Sequence, residues 1–212
     1  MVSRFGTSGE VEDARHKWDQ RYAALSATEL SEPTAFVASY LPQLLGPGRA
    51  LDIAAGPGRN SLALVRRGFR VDAVDISWQG LALGRQRALA MGLTAAQIRF
   101  IVADVERPWL PQGPYDLILV SRFLHRPLFP LIKDRLRADG WLMYETFLAE
   151  AKTQPENCAS TSISEHYLLK PDELRMAFAD FEIIDYREIA HQSREDHHQR
   201  ASAQLVARKR CL

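Results

Sequence analysis

The most constraining feature of this chain is one short segment that runs from an apolar stretch through a glycine turn into a helix start. Residues 50–61 read Ala-Leu-Asp-Ile-Ala-Ala-Gly-Pro-Gly-Arg-Asn-Ser. The apolar run predicts a buried strand, and Asn60 or Ser61 can cap the helix that follows. Because glycine lets the backbone approach a ligand closely and a helix N-terminus offers free N–H groups, the segment predicts a ligand-binding βα turn. The alternative is an ordinary βα turn without a ligand.

Two well-known nucleotide-binding loops fit this segment poorly. A phosphate-binding loop requires a lysine after its second glycine, and no lysine follows these glycines. A dinucleotide fingerprint requires a third glycine, and counting from Gly56 that position holds Ser61. An NAD(P)-dependent oxidoreductase is therefore kept only as a rival hypothesis on the same fold.

Three acidic residues follow three successive apolar runs, namely Asp52, Asp75 and Asp104. Open α/β sheets bind ligands at the carboxyl ends of their strands, and Asp75 follows Asp52 by 23 residues, close to the ~20 typical of a ribose-binding acid. Asp104 can accept from an exocyclic amine while its apolar neighbour Val105 covers a ring face. Together the acids predict an adenosine-shaped site, although each one alone could cap a helix or a turn.

Short apolar runs alternate with helical stretches from Arg49 onward, which indicates βαβ units. The predicted strands are Ala50–Ile53, Arg70–Val74, Ile98–Val102, Tyr115–Val120 and, after a turn at Ala138–Gly140, Trp141–Phe147; the predicted helices are Ser61–Arg67, Leu81–Met91 and Leu128–Leu136. Two final apolar runs, Phe181–Ile189 and Ser202–Ala207, have no helix between them and predict an antiparallel hairpin. The expected fold is a doubly wound, mostly parallel, seven-stranded Rossmann-like α/β sheet with that hairpin and with N-terminal helices.

The N-terminal part carries apolar residues three to four apart between Val11 and Leu25, which predicts an amphipathic helix, and a short helix is expected after Pro33. We expect one domain over residues 1–212, with an N-terminal helical segment at 1–45 and a Rossmann-like core at 46–212.

Charge and cysteine content narrow the function classes. Lys and Arg total 27 against 26 Asp and Glu, a formal net charge of +1, so no global field favours nucleic acid or an anionic membrane. The first residues lack the apolar stretch of a secretory signal, and the apolar runs are far shorter than a membrane span. The two cysteines are far apart and form no CxxC pair, which favours a reducing compartment and predicts a cytoplasmic protein.

The glycine segment and the three acids resemble the class I S-adenosylmethionine-dependent methyltransferases over roughly residues 18–207. In that family the first glycine of the loop stands where this chain has Ala54. The resemblance implies that the loop holds the methionine and sugar of S-adenosylmethionine, that Asp75 binds the ribose, that Asp104 and Val105 contact the adenine, and that Ser121 and Phe123 line the methionine end. The implied cofactor-binding residues are Trp18, Arg21, Asp52, Ala54, Gly56, Gly58, Asn60, Asp75, Ile76, Asp104, Val105, Ser121 and Phe123.

Within that family, residues 18–22, 58–61 and 68–75 are similar to the small bacterial methyltransferases of the tellurite-resistance and thiopurine type. In that group the N-terminal helix lies over the cofactor, which implies a lid role for Trp18, Arg21 and Tyr22; packing of Trp18 on the core is the alternative. After the fourth strand, residues 121–130 depart from the tellurite enzymes, so the resemblance leaves the acceptor open.

Catalytic candidates follow the fourth strand. The imidazole of His125 titrates near neutral pH and suits a general base, whereas a cap or packing role is the alternative. Arg122 and Arg126 flank it and hint at an anionic acceptor, with surface salt bridges as the alternative. Further base candidates are Tyr144, Glu145 and His166. No metal site is expected, because the histidines at 191, 197 and 198 lack a defined ligand spacing.

The predicted function is methyl transfer from S-adenosylmethionine to a small-molecule acceptor, with thiols, selenium or tellurium oxyanions and carboxylates as the acceptor classes. The alternatives are an RNA or protein acceptor, and a non-catalytic cofactor-binding module of the same fold. Nucleic acid is disfavoured as a partner, no membrane partner is expected, and the chain is expected to be a monomer or homodimer.

Overall fold

A computed structural model describes residues 8–25, 32–44, 46–149, 164–190 and 201–211 of the 212. Its helices are α1 (Ser8–Ala23), α2 (Ala35–Tyr40), α3 (Arg59–Arg66), α4 (Trp78–Ala90), α5 (Leu128–Arg135) and α6 (Glu173–Ala177), with 3₁₀ turns at Leu41–Gln43 and Glu165–Tyr167. Its strands are β1 (Gly48–Ile53), β2 (Phe69–Asp75), β3 (Ile98–Val102), β4 (Tyr115–Ser121), β5 (Leu136–Phe147), β6 (Glu182–Ile189) and β7 (Ser202–Arg208).

The seven strands form one sheet in the order β3-β2-β1-β4-β5-β7-β6. The first five are parallel, and β7 pairs antiparallel with both β5 and β6. The predicted fold class, including the C-terminal hairpin, is therefore confirmed. The strand order reverses direction between β1 and β4, and this switch point is where open α/β sheets leave a crevice for ligands.

Both faces of the sheet are covered, as expected when successive strand residues point to opposite sides. On β4, Ile118 and Val120 belong to one buried apolar cluster, whereas Leu117 and Leu119 belong to the other. The first cluster includes residues of α5 and α6, and the second includes residues of α2, α3 and α4. The core is thus a three-layer sandwich that holds the strand ends in fixed positions.

The register brings the carboxyl ends of the central strands level with one another. Ile53 at the end of β1 pairs with Val74 on β2 and with Val120 on β4. Asp75 in turn pairs with Val102 on β3. The residues that follow β1, β2, β3 and β4 therefore emerge at one edge of the sheet.

The predicted turn at Ala138–Gly140 is wrong, because β5 already begins at Leu136 and includes these residues. Asp139 adopts a left-handed backbone with φ 59°, and its N–H donates to the carbonyl of Lys209. The ladder with β4 passes from Leu136, opposite Tyr115, to Trp141, opposite Leu117, so residues 137–140 form a bulge inside β5. Its backbone bonds to Lys209 beyond β7, which a local pattern cannot show.

The two helices expected in the N-terminal part are both present. The N-terminal helix and the short helix after Pro33 are observed as α1 and α2. The histidines at 191, 197 and 198 lie outside the described residues. No helix in the described part of the chain is long and apolar enough to cross a membrane.

Candidate active site

A cavity of about 1170 Å³ opens at the carboxyl ends of β1 to β4, slightly above the ~300–1,000 Å³ of typical ligand pockets. All but three of the predicted site residues line it: Trp18, Arg21, Ala54, Gly56, Asn60, Asp75, Ile76, Asp104, Val105, Ser121, Arg122, Phe123 and His125. The three that do not are Asp52, Gly58 and Arg126. The volume leaves room for a second small molecule beside a nucleoside-sized ligand.

The glycine loop after β1 is built from left-handed residues. Ala54, Gly56 and Gly58 have φ of 56°, 54° and 72°. The N–H of Ala55 donates to the Val74 carbonyl, and the N–H of Gly58 donates to the Ala55 carbonyl. The exchange of the family's usual glycine for Ala54 therefore matters through backbone conformation rather than through size, because a residue with a Cβ is strained at this φ.

Asp75 lines the cavity at the last position of β2, with only 5% of its surface exposed. One carboxylate oxygen accepts from the Gly56 N–H at 2.7 Å, and the other accepts from the Ser77 N–H at 2.8 Å. Burial raises its pKa against these two hydrogen bonds. Each oxygen keeps a lone pair for a further donor, so the carboxylate both fixes the loop and can accept from ligand hydroxyls.

Asp104 follows β3, and like Asp75 its carboxylate accepts from a nearby backbone N–H. One oxygen accepts from the Glu106 N–H at 3.0 Å, which closes a turn. The other oxygen is buried and makes no hydrogen bond in the described structure, with Arg107 Nε 3.5 Å away. Val105 beside it is 4% exposed and lines the cavity. An acceptor next to an apolar wall is the combination that binds the amine edge and face of a heterocyclic ring.

Asp52 lies behind the loop instead of in the cavity wall. It is 1% exposed, and its carboxylate accepts from the Ser61 hydroxyl at 2.6 Å. Burial raises its pKa to about 7. Gly58 also faces away from the cavity, since a Cβ there would meet Phe100 and Ser61. Both residues support the loop from the α3 side, and the geometry offers no direct ligand contact to either.

Helix α1 forms one wall of the cavity through Trp18, Arg21 and Tyr22. The Trp18 and Tyr22 rings stack with centroids 5.6 Å apart, and the Arg21 guanidinium lies over Trp18 at 5.3 Å. Tyr22 packs against two glycines that leave room for its ring. A Cβ on Gly56 would lie 2.6 Å from the Tyr22 hydroxyl, and a Cβ on Gly80 would lie 2.7 Å from the Tyr22 ring. The half-buried Trp18 thus faces the cavity.

Asp19 attaches α1 to the start of α4, a contact that the sequence did not indicate. Its carboxylate accepts from the Ser77 hydroxyl at 2.5 Å and from the Gln79 N–H at 3.0 Å. A negative charge at the N-terminus of a helix is favourable. Helical spacing puts Asp19 between Trp18 and Tyr22, yet only the fold shows which helix it meets.

The arginines near β4 separate into two groups. Arg126 is committed to the protein: it pairs with Glu173 and donates to the carbonyls of His166 at 2.8 Å and Leu168 at 2.9 Å. Arg122 lines the cavity, and so does Arg59 at the start of α3, a residue that sequence analysis did not select. The predicted pair, Arg122 and Arg126, is therefore not brought together at the cavity. Arg59 and Arg122 line it instead.

His125 lines the cavity with neither ring nitrogen hydrogen-bonded in the described structure, although the Glu106 backbone lies near the ring. Burial lowers its pKa, which favours the neutral imidazole that a base requires. Both nitrogens are nevertheless shielded from solvent. An acceptor reaches them only if the ring or the cavity wall moves.

The other base candidates are distributed differently. His166 is exposed and lines the cavity. Glu145 is half-buried and accepts from Gln204 at 2.8 Å and from Ser121 at 3.4 Å, and it does not line the cavity. Tyr144 is fully buried in the apolar core, and burial raises its pKa. Of these three, only His166 faces the cavity.

Comparisons with known proteins agree on the type of domain. A family model described as a methyltransferase domain matches residues 50–140. No curated protein sequence matches the chain. Among solved structures, TehB from Haemophilus influenzae is 18% identical with a TM-score of 0.68, over 92% of this chain and 67% of that one.

Two further solved structures share the fold over nearly all of this chain. Geranyl diphosphate C-methyltransferase from Streptomyces coelicolor, crystallised with Mg²⁺, geranyl diphosphate and S-adenosylhomocysteine, is 15% identical with a TM-score of 0.71, covering 97% of this chain and 100% of that one. Phosphoethanolamine N-methyltransferase 1 of Haemonchus contortus, crystallised with phosphoethanolamine and S-adenosylhomocysteine, is 17% identical with a TM-score of 0.70, covering 98% and 51%. At these identities the likeness concerns the fold.

Proposed function

We propose that this chain transfers the methyl group of S-adenosylmethionine to a small-molecule acceptor, because residues 50–140 match a methyltransferase domain and the fold is similar to that of TehB. The match of residues 50–140 to a methyltransferase domain supports the resemblance drawn from the glycine segment and the three acids.

The observation that carries the proposal is that one cavity at the switch point collects the glycine loop, Asp75, Asp104 and Val105. Asp75 offers free lone pairs to the ribose hydroxyls. The second oxygen of Asp104 can accept from the adenine amine once the Arg107 side chain, 3.5 Å away, moves from over it. Trp18 and Tyr22 close the opposite side. A cavity with polar acceptors at both ends and apolar walls between them fits an adenosine. The backbone N–H groups at the N-terminus of α3 can donate to the methionine part of the cofactor.

S-adenosylmethionine, when bound, supplies a methyl group on a positively charged sulfur that leaves as a neutral thioether. The protein's part is to hold the reacting atoms in line and to keep water out. Phe123 and Ser121, directly after β4, line the cavity beside the switch point. The aromatic wall formed by Trp18 and Tyr22 limits solvent access from the other side.

A small-molecule acceptor is favoured by the enclosed position of the cavity and by the near-neutral net charge of +1. Two enzymes of the same fold were crystallised with phosphorylated small molecules, geranyl diphosphate and phosphoethanolamine. Thiols and selenium or tellurium oxyanions need little proton removal, whereas hydroxyl or amine acceptors need a base in reach. His125 serves that role only for acceptors of the second kind.

Calorimetric titration of the purified protein with S-adenosylmethionine and S-adenosylhomocysteine, with NADH as the control, tests the cofactor. We expect micromolar binding of both sulfur compounds and none of NADH. Binding of NADH alone would overturn the proposal, and binding of none of the three would favour a partner-dependent role. Turnover of S-adenosylmethionine to S-adenosylhomocysteine with thiol, selenite, tellurite and small carboxylate acceptors then tests catalysis.

The predicted cytoplasmic location, the single-domain organisation and the monomeric or homodimeric state stay predictions from the sequence. The expectation that no metal is required also stays a prediction. Titration with and without a chelator tests that last point.

A further inference from the structure

We propose that Arg59 and Arg122 form a pair that binds one carboxylate- or oxyanion-type group inside the methyl-transfer cavity. This inference rests on the proposed function and narrows the chemistry of what the cavity holds. It replaces the pair suggested by the sequence, Arg122 and Arg126, because the guanidinium of Arg126 is committed to Glu173 and to two backbone carbonyls.

The two arginines flank the switch point of the sheet. Arg59 begins α3 directly after the glycine loop that follows β1, and Arg122 directly follows β4. Because β1 and β4 are hydrogen-bonded neighbours with level ends, both residues enter the same crevice, and both line the cavity. Residues so far apart in sequence meet there only because the strand order reverses at this point.

Neither arginine is neutralised by a neighbouring acid. None of the salt bridges among the described residues includes Arg59 or Arg122. Glu145 and Asp52 are the acidic side chains near Arg59. Glu145 already accepts from Gln204 and Ser121, and Asp52 accepts from the Ser61 hydroxyl behind the loop. The cavity wall therefore carries more positive charge than its own acids balance.

Electrostatics indicates that the pair is costly without a ligand. Burial and the charge of Arg122 both lower the pKa of Arg59, because a half-buried cation beside another cation is disfavoured. An anion between the two guanidinium groups would offset the repulsion and compensate for their burial with an opposite charge. Guanidinium groups suit this task, since their planar donors grip carboxylates and oxyanions in a bidentate way.

The backbone of Arg122 has a strained conformation that the surrounding structure must stabilise. Arg122 has φ 58°, in the left-handed region that side chains with a Cβ rarely adopt, and its N–H donates to the Glu145 carbonyl at 2.7 Å. Such conformations persist where the surrounding structure enforces them, and they concentrate at ligand sites. The strain agrees with a side chain held toward the cavity.

The anion has two chemical sources, the carboxylate of the methionine part of the cofactor and an anionic group of the acceptor. Three probes separate them: S-adenosylhomocysteine, 5′-methylthioadenosine, which lacks the amino-acid part, and sodium benzoate or inorganic phosphate added to the S-adenosylhomocysteine complex. The variants are R59Q, R122Q and the double variant, with R122G as a second form because glycine accepts the left-handed φ. R85Q, an exposed arginine of α4 outside the cavity, is the control.

If the pair holds the cofactor carboxylate, R59Q and R122Q weaken S-adenosylhomocysteine binding about tenfold or more and leave 5′-methylthioadenosine binding unchanged. If it holds the acceptor, both nucleosides bind as before, and the affinity for benzoate or phosphate falls by a similar factor. R85Q changes none of these affinities in either case.

Unchanged binding of every probe in folded R59Q and R122Q would overturn the pair. A failure of the proposed function looks different, because the unmodified protein would then bind neither nucleoside. Benzoate and phosphate titrated into the protein without a nucleoside still test the arginines in that event: loss of anion binding in the double variant supports the pair, and absence of anion binding to the unmodified protein contradicts it.

Discussion

Asp75 has two tasks at the scale of a single residue, because its carboxylate holds the glycine loop and also faces the cavity. The hydrogen bonds from Gly56 and Ser77 orient the two oxygens, and burial keeps them from water. A charged acceptor preoriented in this way contributes more to binding than a mobile one.

We predict that Asp75→Asn weakens S-adenosylhomocysteine binding by about 1–3 kcal/mol, since one charged acceptor for ribose hydroxyls is lost. Calorimetric titration measures the change. Asp72→Asn is the matched control, because Asp72 lies on the same strand, is also buried and pairs with Arg99 away from the cavity. Asp72→Asn should lower stability without changing affinity. Equal affinities for Asp75→Asn and the unmodified protein would remove Asp75 from the cofactor site.

Ala54 is the residue at which this chain departs from the family's glycine loop, and its φ of 56° makes the departure energetically significant. We predict that Ala54→Gly raises the free energy of unfolding by about 0.5–1 kcal/mol, because relief of left-handed strain of ~1–2 kcal/mol outweighs the extra flexibility of glycine when unfolded. Ala55→Gly, at an ordinary φ, should instead be destabilising. Urea denaturation compares the two, and the same sign for both would contradict the explanation.

Asp52 is buried behind the loop, and its pKa of about 7 links stability to pH. Its unfolded pKa is about 3.9, so the folded protein holds the proton more strongly. The contribution is fully present below about pH 4 and is lost as pH rises to about 7. Asp52→Asn, which is neutral throughout, should therefore gain about 2–3 kcal/mol relative to the unmodified protein between pH 5 and pH 8.

Denaturant unfolding at both pH values checks the Asp52 prediction. Asp13→Asn is the control, because Asp13 is an exposed residue of α1. A constant difference between Asp52→Asn and the unmodified protein across this range would mean that Asp52 is already ionised in the folded state at pH 5.

At the scale of elements, α1 is held over the cavity by few polar contacts. Asp19 accepts from Ser77 and Gln79 at the start of α4, and Tyr22 packs against Gly56 and Gly80. Most of the other side chains at positions 12–23 of α1 are exposed. Such an element can open locally at a lower free energy than the sheet.

We predict that Asp19→Ala releases α1 and weakens S-adenosylhomocysteine binding severalfold, since a charge-assisted contact with the α4 N-terminus of about 1–2 kcal/mol is lost. Hydrogen exchange of the α1 amides, with and without S-adenosylhomocysteine, measures the release. Asp13→Ala on the same helix should change neither protection nor affinity. Unaltered exchange in Asp19→Ala would show that α1 is held by its ring contacts alone.

The whole molecule forms the cavity from loops after β1 to β4, from α1 and from the 3₁₀ turn at Glu165–Tyr167. Tyr167 at this turn donates to Glu106 after β3 at 3.1 Å, which connects the 3₁₀ turn to the loop after β3. Because a ligand in the cavity contacts segments from both ends of the chain, its binding should stabilise the fold as a unit.

We predict that S-adenosylhomocysteine at 100 times its Kd stabilises the protein by about 2.7 kcal/mol, which raises the Tm by about 5–11 °C for a chain of this size. Thermal unfolding followed by circular dichroism measures the shift. NADH at the same concentration should leave the Tm unchanged. A Tm insensitive to S-adenosylhomocysteine would place the ligand outside the folded unit.

Much of the fold could be predicted because strands and helices follow from short-range periodicity. The run Ile98–Val102 matches β3 at both ends, and the glycine loop lies where residues 54–58 place it. The start of β5 could not be predicted, because residues 137–140 bulge out of the ladder with β4 and bond to the backbone of Lys209 beyond β7. Local pattern describes a segment's preference, and distant hydrogen bonds can override it.

The sequence by itself determined the succession of strands and helices along the chain, the glycine loop and the acids at the strand ends, since these depend on neighbours along the chain. Only the tertiary structure decided which polar groups meet. Asp52 lies one position before the end of β1 and points under the loop, whereas Asp75 ends β2 and faces the cavity. The physical reason is register: Asp52 is level with Ala73, so Asp75 lies two residues nearer the carboxyl edge of the sheet. The reversal of strand order between β1 and β4 likewise brings Arg59 and Arg122 to one crevice, whereas Arg126 pairs with Glu173.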